Sequence, residues 1–195
     1  MMPTENSNIS AKEAIEALEA VREVERRTRG AIAAAGGGQI VTVWGAVWFV
    51  GFLSSHFLGG ALLSWLWLFL DLVGIVATVW LVSRLGRRVR GAVGPVGSRI
   101  GGLWLAIAGY TLLWLVLASP LTGRQIGALS SSAAMLGYVI MGLWLDRVFL
   151  WLGLVVTALI VAGYFLFPTI FGIWMALFGG GALIVAGLRI QRRWR

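Results

Sequence analysis

Between residues 40 and 188 the chain repeats one pattern: apolar runs of about twenty residues, broken by short stretches rich in glycine, serine, proline or arginine. A helix rising 1.5 Å per residue needs that length to cross ~30 Å of hydrocarbon. The runs resolve into six spans, at about 40–58, 61–82, 100–118, 125–145, 148–166 and 169–188. The predicted fold class is therefore all-α: a polytopic membrane protein with six transmembrane helices in a bundle, preceded by an N-terminal cytoplasmic amphipathic helix. The connections SSHFLGG, SPLTGRQ and FPT are short. They predict three antiparallel hairpins, pairing span one with two, three with four and five with six.

Ahead of the spans the pattern changes. Residues 1–10 lack apolar periodicity and read as a disordered start. Ser10 and Glu13 form an S-x-x-E capping box, in which each side chain satisfies an orphan amide at a helix start. The helix it opens, about 11–29, carries Ile15, Leu18, Val21 and Val24 along one side and passes into a Gly/Ala hinge that ends at residue 38. Its apolar stripe leaves three partners open: a second copy of the chain, a cytoplasmic protein, or the membrane surface. The polar, acidic opening lacks the basic start and apolar core of a cleavable signal, so insertion is expected to rely on span one.

Charge then orients the spans. The formal net charge is +8, which could suit nucleic acid, yet the arginines sit at the ends of the apolar runs. Arg22, Arg26, Arg27 and Arg29 precede span one, and Arg84, Arg87, Arg88, Arg90 and Arg99 lie between spans two and three. Arg147 separates spans four and five, and Arg189, Arg192, Arg193 and Arg195 form a basic tail. The opposite connections carry Arg124 alone. The positive-inside rule then makes both termini cytoplasmic. Arg84, Arg87, Arg88, Arg90, Arg192 and Arg193 are the candidate contacts to anionic lipid headgroups. No nucleic-acid partner is expected, because neither aromatics nor a recognition helix accompany the basic runs.

The chemistry available inside the bilayer is sparse. With no cysteine and a single histidine, His56, the chain offers no conventional ligand set, so no metal or cofactor is expected. No hydrolase, zincin or P-loop pattern is present, and no catalytic residue is assigned. One acid stands out. Of eight Asp and Glu, six precede residue 26 and Asp146 lies in a turn, whereas Asp71 falls within WLWLFLDLVGIV. A charged side chain at that depth costs roughly 2.5–3.5 kcal/mol and usually faces the bundle interior.

Helical spacing places Ser64, Trp67, Asp71, Gly74 and Thr78 on one stripe of span two. Counting from the helix ends brings Thr111, Ser131, Ser132 and Thr157 to a similar depth, as candidate hydrogen-bond partners. Gly179, Gly180 and Gly181 mark either close packing or a broken helix at that level. The small residues from Gly127 to Ala134 make span four a thin helix, suited to the centre of the bundle or a dimer seam. Trp44, Trp80, Trp104, Trp144 and Trp151 read as one interfacial belt, and Trp65, Trp67, Trp114 and Trp174 as the other.

The segment from Gly137 to Arg195, with GYFLFPTIFGIWMALFGGGALIVAG and a basic tail, resembles uncharacterised bacterial multi-pass membrane proteins. That resemblance implies a plasma (inner) membrane location and no activity, and it assigns no residue a role. Taken together, the residues lead to a non-enzymatic accessory, regulatory or scaffold protein acting through protein or lipid contacts. The alternative is a small proton- or cation-linked transporter or channel using Asp71.

The orientation is directly testable, because the chain has no cysteine of its own. A membrane-impermeant maleimide should label Ser119→Cys in intact cells and Arg195→Cys only after permeabilisation. The reverse pattern would invert the topology.

Overall fold

The computed structural model describes residues 13–20, 22, 23, 36–86 and 94–193. Residues 13–20, 22 and 23 are helical, with Ile15 and Leu18 exposed on that helix. Ser10, Val21, Val24, Arg26, Arg27 and Arg29 lie outside the described residues, as do Arg87, Arg88 and Arg90.

Among the described residues, six helices are long and apolar enough to cross a membrane. Span one is Gly37–Phe57, span two Gly60–Gly86, span three Gly94–Leu117, span four Gly123–Trp144 and span five Arg147–Leu166. Span six is composite: a 3-10 turn at Pro168–Ile170, helix at Phe171–Trp174, a π-helical stretch at Met175–Gly180 and helix again at Gly181–Arg193. The membrane-crossing part of each helix ends within four residues of the hydropathy boundary.

Local signals explain the ends. Gly36 precedes span one at φ 83° and Gly60 opens span two at φ 63°, left-handed conformations that glycine adopts without steric cost. Span four starts with a capping box: Gln125 N–H donates to Thr122 Oγ1, and Thr122 N–H donates to Gln125 Oε1 at 2.8 Å. Asp146 caps span five by accepting from Val148 N–H at 2.8 Å. Both signals, T-G-R-Q and the aspartate before R-V-F, stand in the sequence, although hydropathy alone started span four two residues later.

Lateral order departs from the hairpin expectation. The predicted hairpin pairs, one with two, three with four and five with six, do touch, but the most extensive seams join span one to span six and span four to span five. The principal contacts run in the spatial order 2-1-6-5-4-3. Every residue of the buried core, including Trp48, Phe52, Met135, Val156, Met175 and Leu183, comes from spans one, four, five and six. Spans two and three are peripheral, each packing mainly on one neighbour. Span four lies between spans three and five and contributes to the core: Ser131 and Met135 are buried, and Phe52 of span one packs against Gly127.

Glycine makes both inner seams. A methyl group at Gly45 would lie 2.7 Å from Ile184 N, and one at Gly180 would lie 2.7 Å from Phe49 N and 2.9 Å from Gly45 O. At the two ends of this seam Gly38 faces Gly187 and Gln191, and Gly172 faces Phe52, so the register falls along span six as it rises along span one. Between spans four and five, Gly153 meets Met135 O and Val139 N, and Gly142 lies against the backbone of Leu150. Backbones this close maximise van der Waals contact, which is what holds helices together in lipid.

The π-helical stretch belongs to the same device. Gly172 and Gly180 are eight residues apart, which in a straight α-helix would rotate them by about 80°. The wider turn takes up the extra residue and returns both to span one. Gly181 N–H still reaches Ala176 O, so the backbone stays hydrogen-bonded. Of the two readings of Gly179–Gly181, close packing or a helix break, the segment shows close packing at Gly180 within a rewound, still hydrogen-bonded helix. Gly179 lies beside Met175 and Trp48, whereas Gly181 has no neighbour within 4 Å at its Cβ position.

Leucine at Gly180 or Gly153 should destabilise the bundle by ~1–3 kcal/mol or more, since the opposing atoms are backbone. Leucine at Gly109, which has open space, should be neutral or slightly stabilising. Thermal unfolding in detergent would read the contrast, and equal effects at all three sites would contradict the seams.

Candidate functional site around Asp71

Asp71 lies on the face of span two that meets span one, between two crossed indole contacts. Trp44 of span one donates its Nε1–H to Thr78 Oγ1 of span two at 3.1 Å. Trp67 of span two donates to Ser55 Oγ of span one, also at 3.1 Å. Each acceptor hydroxyl spends its own proton on the carbonyl four residues back: Thr78 on Gly74 O at 2.8 Å and Ser55 on Gly51 O at 2.7 Å. A hydroxyl has one donor and two acceptor sites, so it satisfies its own hydrogen and the partner's indole together. Each Trp ring also lies over a glycine of the other helix, Trp44 on Gly74 and Trp67 on Gly51.

These contacts fix the register. Residue 67 faces 51 and 55, and residues 74 and 78 face 44, which sets Asp71 level with residues 47–51 of span one. The carboxylate is half-buried there, and no hydrogen bond or ion pair reaches it among the described residues. Around that level span one contributes Val47, Trp48, Phe52 and Gly51, none of which has a side chain able to hydrogen-bond a carboxylate except the indole of Trp48.

The partners expected from depth alone do not converge on Asp71. Thr111 bonds Ile107 O within span three at 2.7 Å, and Thr157 bonds Gly153 O within span five at 2.7 Å. Ser131 is buried in the core, and Ser132 lines a cleft beside spans three and five. Ser64 is exposed and bonds Gly60 O in its own helix, so the inward stripe of span two begins at Trp67. Thr78 lies on that stripe, but it serves Trp44. The physical reason is lateral: span two packs mainly on span one, whereas these hydroxyls lie on spans three, four and five. Among the described residues, no group of three or more His, Cys, Asp or Glu side chains could hold a metal.

The tryptophan belts are corrected in the same way. Trp44, Trp67, Trp104 and Trp174 are anchors between helices. Trp104 packs on Gly137 and edge-on to Tyr138 at 5.5 Å, and Trp174 lies on Gly163 while donating to Leu159 O at 2.8 Å. Trp65, Trp80, Trp114, Trp144 and Trp151 remain exposed, as belt residues are. Of the headgroup candidates, Arg84 is exposed and stacks on Trp80 at 4.9 Å, and Arg192 is exposed. The side chain of Arg193 lies outside the described residues.

Since Asp71→Asn removes no hydrogen bond or ion pair among the described residues, it should change stability in detergent by less than ~0.5 kcal/mol. Trp67→Phe, which breaks an interhelical hydrogen bond, should cost roughly 0.6–2 kcal/mol. A loss on Asp71→Asn as large as that on Trp67→Phe would make the carboxylate part of the bundle's own glue. No family model, no curated protein and no solved structure matches the chain, so its function is read from its own residues.

Proposed function

We propose that the protein is a non-enzymatic accessory, regulatory or scaffold subunit of the bacterial plasma membrane, acting through lateral contacts with both termini in the cytoplasm. The observation that carries this reading is the position of Asp71. It sits in a peripheral span, half-buried and without a partner among the described residues. An acid at that depth is stabilised by a donor, and a neighbouring chain can supply one where this chain does not. The flank of the same span beside Asp71 presents exposed Leu68, Leu72 and Ile75 as an apolar surface for that neighbour. Exposed Ile15 and Leu18 on the N-terminal helix support a second contact, through residues 11–29, with a cytoplasmic protein or another copy.

The second reading is a small proton- or cation-linked transporter built on Asp71. It is favoured by the absence of a bond occupying the carboxylate. It is weakened by the apolar core of spans one, four, five and six, where Ser131 is the one buried hydroxyl-bearing side chain besides Tyr138.

Two measurements separate the readings. A photoreactive side chain at Leu72 should crosslink to a membrane protein in cells, and Asp71→Asn should abolish that adduct while a probe at Leu154 is unaffected. Adducts to lipid alone from Leu72 would sink the accessory reading. Proton or cation flux in liposomes that disappears in Asp71→Asn would establish the transporter instead.

A further inference from the structure

Spans three and four touch closely at one end and separate toward the other. Near the arginine-rich end, Trp104 and Ile107 pack on Gly137. Toward Leu117 the side chains of span three become exposed, and a cleft of ≈ 410 Å³ opens between spans three, four and five. Its walls include Trp114, Gln125, Ala128, Ser132, Ile160 and Tyr164. From Gln125 to Ser132 it descends about 10 Å along span four. The small side chains of Ala118 and Ala128 leave the space unfilled.

The rim of this cleft carries an unusual charge. Arg124 is the single arginine in the connections at that end of the bundle. Its guanidinium lies over the ring of Tyr164, 4.7 Å from the centroid, and Tyr164 lines the cleft. A cation held over a ring by its charge uses none of its N–H donors as hydrogen bonds, so they remain available. Arg124 is half-buried, and none of the described residues accepts a hydrogen bond from it. A planar fork of donors above an apolar slot matches a phosphate joined to a hydrocarbon chain.

We propose that this cleft holds one acyl chain of an anionic phospholipid whose phosphate is bound by Arg124. The site is independent of Asp71, which lies on span two at the far side of the bundle order. The lipid wedges between spans three and four along the cleft that residues of both line. The cation supplies selectivity for charge, and the apolar walls supply selectivity for a chain over a soluble phosphate.

The test is native mass spectrometry of the full-length protein in detergent, titrated with phosphatidylglycerol or phosphatidylcholine of identical acyl chains. Wild type should retain one phosphatidylglycerol at roughly tenfold or more higher affinity, the scale of a charge-assisted hydrogen bond. Arg124→Gln should bring the two lipids to parity, and Arg124→Lys should keep part of the preference. Ala128→Phe, or Ala118→Phe should the first not fold, should weaken both lipids. Equal binding of the two lipids by wild type would overturn the proposal. So would an undiminished preference in Arg124→Gln, which would move the headgroup site to the arginine-rich end. Unchanged binding in a cleft-filled variant would remove the chain from the cleft, and a dimer appearing in place of bound lipid would assign the groove to a second copy.

Discussion

In hydrocarbon two helices gain nothing by hiding apolar surface from each other, so they hold only as closely as their side chains permit. Glycine sets that distance throughout this bundle. Between spans one and six, and again between four and five, glycine brings backbone against backbone. Across each hairpin the arrangement is different: an indole lies in the space a glycine leaves, as with Trp67 on Gly51, Trp104 on Gly137 and Trp174 on Gly163. The tight seams thus join helices far apart in sequence or linked by a two-residue turn. The tryptophan sockets join the partners that the hairpin connections had already brought together.

Polar groups inside the bundle follow from the same geometry. An indole N–H buried in lipid is costly without an acceptor, and the hydroxyls opposite it are held ready by bonding their own helix backbone. Gln191 on Thr42 repeats the arrangement at the end of the first seam, with Thr42 bonded back to Gly38 O. These pairs satisfy one another locally, which is why they do not assemble into a polar path across the core. Asp71 and Arg124 are half-buried, and among the described residues neither has an ion pair to answer its charge.

Some of the tertiary picture was within reach of the sequence and was obscured by averaging. The box from Thr122 to Gln125 and the cap at Asp146 are short local signals, and a hydropathy window blurs both. The belt reading failed for Trp44, Trp67, Trp104 and Trp174 because position along a span says how deep a ring lies, not which way it points. The mistaken set of Asp71 partners has the same origin: Thr111, Ser131, Ser132 and Thr157 share its depth and not its neighbourhood.

What the sequence by itself determined was everything measured along the membrane normal. Run length specified six spans, and the placement of Arg84, Arg99 and Arg147 against Arg124 made the two ends of the bundle unlike. These quantities depend on the bilayer, which acts on each segment separately. The order 2-1-6-5-4-3, the rewound turn at Met175–Gly180, the isolation of Asp71 and the cleft beneath Arg124 were decided by tertiary structure alone. They depend on which helix meets which, and that is settled by contacts between glycines and rings far apart in the chain.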